Sequence, residues 1–287
     1  MSRVYDALQQ CLPDQVTADT LQDNRADALF SEQFADLVWD RDTAPALRPD
    51  LSSEDRIPAL FSTYSFASEQ FRLLATRLQQ LQHSRACKSV LLTSSVAGEG
   101  KSLLVLNLAM SLAQGGQQKI LVADANLRKP GLCRTLGVDD RAGIREWYRT
   151  NRPITEFIYR IAGVSVWLLP AGLADGDPLE LLKSGRMQDL LGSMNAAFDW
   201  VLIDSPPLLP IADAEIISRI SDGTIIVVRR DKTPATALKQ ALERVAPPKL
   251  IGFLLNEFPT IGDHADARHS VKQPLESPGA NDQVQHP

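Results

Sequence analysis

Ser94-Ser95-Val96-Ala97-Gly98-Glu99-Gly100-Lys101-Ser102 is the stretch on which the fold turns. It follows an apolar run, Ser89 to Thr93, and opens a segment, Ser102 to Gln114, whose spacing predicts a helix. A glycine-rich loop between strand and helix, ending in Lys-Ser, is the setting of a phosphate-binding P-loop. Loop N–H groups and the helix N-terminus aim partial positive charge at one spot, which makes an anion cradle. The binding residues in this reading are Ser95, Ala97, Gly98, Glu99, Gly100, Lys101, Ser102 and Leu103. Lys101 would reach the β- and γ-phosphates, and the Ser102 hydroxyl would serve Mg²⁺. Ser95 stands where the G-x-x-x-x-G-K-S/T pattern has its first glycine.

Working outward, strand-like runs continue at Ile120 to Ala123, Val164 to Leu169, Trp200 to Ile203, Thr224 to Val228 and Leu250 to Leu255. Helical segments fall between them, at Leu179 to Asn195, Ala212 to Ile220 and Pro234 to Val245. Such alternation predicts an α/β fold, a mostly parallel doubly wound sheet with right-handed crossovers. Ligands in such sheets bind at the carboxyl ends of the strands. Two strands end there in a carboxylate, Asp124 and Asp204, and these are the candidates for the magnesium shell. Upstream, Phe71, Leu74, Leu78 and Leu81 recur at helical spacing, so Phe66 to Leu81 reads as an amphipathic helix.

The composition sets bounds. The 287 residues carry a net charge of −5, which argues against general nucleic-acid binding. That charge is uneven: residues 1–60 hold 12 acidic and 5 basic side chains, whereas residues 61–258 hold 19 and 23. Three parts are therefore expected: an acidic, partly helical segment with a linker (1–60), a P-loop domain (61–258) and a polar, disordered tail (259–287). Within the first part, Asp40 to Pro58 reads as linker. Cys11, Cys87 and Cys133 form no C-x-x-C pair, so neither a disulfide framework nor a zinc site is expected. The start has no signal-peptide pattern. The longest apolar run, Leu103 to Ala113, is short of the roughly 20 residues of a membrane helix. A cytoplasmic protein is the expectation.

Together these segments resemble the bacterial tyrosine kinase (BY-kinase) family, the CpsD/CapB-like P-loop ATPases of capsule and exopolysaccharide synthesis. The Walker A loop matches apart from Ala97. The Walker A′ motif appears as Ala123-Asp124-Ala125-Asn126-Leu127-Arg128-Lys129-Pro130, and Walker B as Phe198-Asp199-Trp200-Val201-Leu202-Ile203-Asp204-Ser205-Pro206-Pro207. Further similarity lies at Leu169-Pro170-Ala171-Gly172, Asp177 to Leu182 and Ala212-Asp213-Ala214. The resemblance implies ATP and Mg²⁺ as cofactors, with Lys101, Asp124 and Asp204 as the catalytic set. Ser102, Asp124 and Asp204 would serve the metal, with Asp204 holding its water shell. Asp124 would accept the proton from a tyrosine hydroxyl or water, and Asn256 would contact adenine. It also implies recruitment to the inner face of the plasma membrane by a membrane-spanning polysaccharide chain-length regulator (Wzz-like). Homo-oligomers would form through the helix bearing Glu69 and Arg72.

Three departures stand out. Asn126 replaces the family's second Walker A′ acid, so metal affinity is expected to fall and the base role rests on Asp124. Ala75 replaces the last arginine of the family's E-x-x-R-x-x-R helix. Arg77 lies about 200° further round and is a poor substitute. The only tyrosines are Tyr5, Tyr64, Tyr148 and Tyr159, so the family's tyrosine-rich tail has no counterpart in residues 160–287. The leading expectation is an ATP-dependent kinase or ATPase of polysaccharide export. The alternative is a nucleotide-gated adaptor of the membrane partner that phosphorylates nothing. A partition-type ATPase is disfavoured, because Ser94 to Gly98 lacks the early lysine of that class.

Overall fold

The structure is a computed structural model that describes residues 44–49, 66–114, 116–150, 152–173 and 176–256. The helical patches expected in residues 1–40 and the tail expected at 259–287 lie outside the described residues. Among the described residues eight strands form one sheet: β1 (Ala46–Leu47), β2 (Ser89–Ser94), β3 (Ile120–Asp124), β4 (Tyr159–Ile161), β5 (Val166–Leu169), β6 (Trp200–Asp204), β7 (Gly223–Arg229) and β8 (Leu250–Asn256). Their order is β1-β4-β5-β3-β6-β2-β7-β8. Of these neighbouring pairs, only β4–β5 is antiparallel. The mostly parallel, doubly wound sheet is therefore as expected.

Side chains on a strand alternate between faces, and here both faces are covered. Val90, Leu92, Ile120, Val122, Leu168, Trp200 and Leu202 share one core with helices α1 (Phe66–Ser84) and α2 (Lys101–Ala113). The intervening Leu91, Leu121, Trp167, Val201 and Ile203 face a second core. Helices that contribute to it include α5 (Pro178–Lys183), α6 (Gly185–Ala197) and α7 (Asp213–Ile220). Burial on both faces explains why these strands are continuous apolar runs and not alternating ones. A third cluster joins Ile226 and Val228 to Leu238 and Ala241 of α8 (Ala235–Leu242). No helix among the described residues is long and apolar enough to cross a membrane.

Several details differ from the sequence reading, among them an unexpected strand at Tyr159–Ile161. The helix expected over Leu179 to Asn195 is two helices, α5 and α6. Ser184 between them is extended (φ −69°, ψ 140°), and its hydroxyl donates to the Leu181 carbonyl at 2.6 Å, ending the first helix. Short helices α3 (Leu132–Thr135) and α4 (Ile144–Thr150) fill the stretch after the Walker A′ segment, where no element is expected. Within the supposed linker, Ala46–Leu47 pairs with β4, and Leu47 is buried in the first core. Two residues are too short for a periodic signal. The pairing is decided by the sheet edge they meet.

Helix α1 buries Ala75 and Leu78, with Phe71, Leu74 and Leu81 packed beside them. Ala75 thus sits in the core (4% exposed). Glu69 and Arg72 are ion-paired within the helix, and Arg72 Nε also donates to the Gln114 amide oxygen at 3.0 Å.

Candidate active site

β2, β3 and β6 are packed side by side at the centre of the sheet with β2 against β6 and β6 against β3, so their carboxyl ends converge. The loop after β2 turns through two glycines in the left-handed region, Gly98 (φ 82°) and Gly100 (φ 89°). An L side chain would be strained at either. Gly100 then caps α2, whose first-turn N–H groups have no intrahelical acceptor. Ala97 and Gly98 form the exposed crest of the loop. Ser95, Glu99 and Lys101 are buried beneath it, and Leu103 is half-buried.

Lys101 Nζ donates to Ser94 Oγ at 2.8 Å, and Ser94 Oγ donates to the Val96 carbonyl at 2.7 Å. Burial lowers the Lys101 pKa, and the carboxylates of Asp204 and Glu99 oppose that fall. Burial raises Glu99. The Ser102 hydroxyl donates to Asp204 Oδ2 at 2.5 Å. Asp204 is wholly buried; burial and then the neighbouring Asp124 raise its carboxyl to about 7. Its second oxygen, Oδ1, has no hydrogen-bond partner, nor has the buried Ser95 Oγ.

Asp124 lies opposite Asp204 in the β3–β6 register and is equally buried. Its surroundings are different. Oδ2 accepts the N–H groups of Gly131 (2.9 Å) and Leu132 (3.1 Å), and Oδ1 accepts that of Asn126 (3.1 Å). Asp124 therefore ties the Walker A′ segment to the start of α3. Burial raises its pKa, and these three N–H groups work against the rise. The Asn126 carboxamide is turned into its own loop, where its oxygen accepts the Lys129 N–H at 3.4 Å. Asn256 ends β8, and its amide donates to the Glu99 backbone carbonyl at 2.9 Å.

Sequence reading gave no role to Arg128 or Asp213, although both lie in motifs it quoted. The structure joins them in a two-point ion pair: Arg128 Nε to Asp213 Oδ2 at 2.7 Å and the second nitrogen to Oδ1 at 3.2 Å. Asp213 is buried at the start of α7, and the bond raises the Arg128 pKa. The Arg145 guanidinium reaches the Leu127 carbonyl at 2.5 Å, so α4 also holds the segment. Gly131 completes the geometry, since a Cβ there would lie 3.1 Å from Ser102 Oγ.

The residues fit a phosphate ester and a divalent cation. Two buried carboxyls, Glu99 and Asp204, act on one buried ammonium, Lys101. Asp204 Oδ1 lacks a partner beside the Ser102 hydroxyl. No group of three His, Cys, Asp or Glu side chains among the described residues forms a closed metal cage. Mg²⁺ needs no such cage: it takes one or two carboxylates, keeps waters and shares phosphate oxygens.

No protein-family model matches the chain. It is 33% identical over 215 residues to tyrosine-protein kinase YwqD of Bacillus subtilis, an alignment covering 74% of this chain and 90% of that one. It is 29% identical over 206 residues to the succinoglycan biosynthesis transport protein ExoP of Rhizobium meliloti, covering 69% of this chain and 26% of ExoP. The chain thus spans about a quarter of that longer relative. Its fold superposes on the BceF tyrosine kinase domain with a TM-score of 0.64 and 29% identity, covering 71% of this chain and 82% of that domain. With a P-loop, a Walker A′ acid and a Walker B acid on adjoining strand ends, the chain belongs to the bacterial tyrosine-protein kinase family, P-loop ATPases of the protein-tyrosine kinase type.

Proposed function

We propose that the chain binds Mg·ATP at the Ser95–Leu103 loop and transfers the γ-phosphoryl group to a tyrosine hydroxyl or to water. The observation that carries this is the convergence of Lys101, Ser102 and Asp204, with Asp204 Oδ1 unpartnered and buried next to the loop. Phosphoryl transfer asks chiefly for positioning and for neutralisation of charge on the phosphate oxygens. Lys101 would exchange its Ser94 contact for the β- and γ-phosphates. The Ser102 hydroxyl would turn to the metal, and Asp204 would hold the metal's water shell. Mg²⁺, when bound, neutralises charge on the β- and γ-phosphate oxygens. Asp124 would accept the proton of the attacking hydroxyl through a lone pair not used by its three N–H donors. Arg128 and Asp213 would keep the Walker A′ segment in place, and Asn256 would support the adenine side of the site through its contact with the loop.

In this proposal the protein serves exopolysaccharide or capsule synthesis, as the name of ExoP says of that relative. A membrane-spanning chain-length regulator would recruit it to the inner face of the membrane. The three-part division at residues 60 and 258 belongs to the same proposal. Assembly of copies would go through the exposed side of α1, because Ala75 is committed to the core.

A second reading, a nucleotide-gated adaptor, is favoured by one observation. Both Asp124 oxygens accept N–H groups and Asn126 is turned into its own loop, which weakens the case for a general base. Labelled Mg·ATP, incubated with the full chain and the cytosolic segment of its membrane partner, separates the two. The kinase reading expects phosphotyrosine that disappears in Lys101→Ala. Phosphate release without phosphotyrosine on either protein would leave an ATPase switch. Bound ATP with neither product would leave the adaptor.

A further inference from the structure

The phosphate loop is also held from the side of the sheet away from Asp124. Thr233, buried in the turn after β7, donates its hydroxyl hydrogen to Glu99 Oε1. The same hydroxyl oxygen accepts the Arg229 N–H at 2.8 Å, so its donor direction is set by its own turn. Asn256 adds the contact to the Glu99 carbonyl, and its own carbonyl accepts the Arg230 N–H at 3.1 Å. The turn contains Asp231 at φ 56°, the one non-glycine residue with positive φ among the described residues. An L-residue takes that conformation where its surroundings hold it there. Glu99 is flanked by Gly98 and Gly100, both in the left-handed region, so the local backbone has little rigidity of its own. Its buried side chain is the handle by which the rest of the fold can grip the loop.

We propose that Thr233 is a positioning residue of the phosphate site: by anchoring Glu99 it holds the loop in its binding shape before nucleotide arrives. The proposal rests on the Mg·ATP reading and deepens it. A preorganised cradle loses less conformational freedom on binding, so the anchor acts on affinity and not on the chemical step. Thr233 touches no reacting atom.

The test measures calorimetric affinity for Mg·ATP, and KM and kcat for phosphate release, on the full chain. Thr233→Val keeps the side-chain shape and removes the hydroxyl. It should weaken affinity and raise KM about tenfold, the scale of one lost hydrogen bond to a carboxyl group. Its kcat at saturation should stay within about twofold. Thr233→Ser should restore both affinity and KM, and Thr233→Ala should behave as the valine variant does. Wild-type affinity in the valine and alanine variants would overturn the proposal. So would a fall in kcat without a change in KM, or failure of both variants to fold, which would make Thr233 a structural residue. Absence of Mg·ATP binding by the unaltered protein is a separate result, seen before any variant is made, and would overturn the nucleotide reading itself.

Discussion

Asp124 and Asp204 invite comparison because so much about them is shared. Each ends a buried parallel strand, each is in register with the other, and each carboxyl is pushed up by burial. Their partners differ. Asp204 accepts the Ser102 hydroxyl and keeps its Oδ1 without a partner, whereas Asp124 accepts three backbone N–H groups through both its oxygens. An unpartnered buried carboxylate oxygen costs folding free energy and is kept where a ligand uses it. A carboxylate that accepts three N–H groups contributes to folding whether or not a ligand binds. Residue type and strand position alone do not tell these two environments apart.

The sharpest way to break the comparison is substitution by Asn at each position. Asp204→Asn should lower the rate of Mg-dependent phosphate release by about 10³-fold while leaving the melting temperature unchanged or higher. A protein that keeps its activity would remove Asp204 from the site.

pH tests the same contrast. Burial and then the neighbouring Asp124 push the Asp204 carboxyl up to about 7 in the fold, against roughly 3.9 in an unfolded chain. Between those values the folded state binds more protons than the unfolded one. The stability that protonated Asp204 retains below about pH 4 is thus lost as pH rises towards 7. Chemical denaturation without nucleotide should show a fall on the order of 4 kcal/mol across that window. Asp204→Asn should remove most of the slope, and an unchanged slope would assign it to another group.

Asp124→Asn should cost about 2 kcal/mol, because a carboxamide has one acceptor oxygen for three N–H groups. Thermal melts would reveal it, and a variant as stable as wild type would return Asp124 to a purely chemical role. Arg128→Ala leaves Asp213 buried without its partner. Arg128 is itself 40% exposed, so solvent screening limits the expected loss to about 1–2 kcal/mol. The smallest effect is that of Gly131→Ala. Its Cβ would press on Ser102 Oγ at 3.1 Å, so Mg·ATP affinity should fall about threefold, measurable by calorimetry.

Much of the frame was legible in residues. The apolar runs at β2, β3 and β6 could be read because strands buried on both faces need no polar alternation, and helix α1 because Phe71, Leu74, Leu78 and Leu81 keep a 3.6-residue period. The loop was legible because Gly98, Gly100 and Lys101 are residue types chosen for backbone conformation and charge. Less was visible where an element is too short to have a period, as with Ala46–Leu47 and Leu132–Thr135, or where one residue interrupts a continuing pattern, as at Ser184.

By itself, then, the sequence determined the layered α/β architecture, the phosphate loop and the pair of strand-terminal acids, since these depend on local periodicity, glycine conformation and residue chemistry. Only the tertiary structure decided which of the two strand-terminal acids keeps an unpartnered oxygen, that Arg128 is held by Asp213, that Ala75 is core, and that Thr233 grips Glu99 from 134 positions away. Each of these depends on hydrogen-bond partners or packing neighbours brought together across the sheet, and no spacing along the chain encodes a distance between elements.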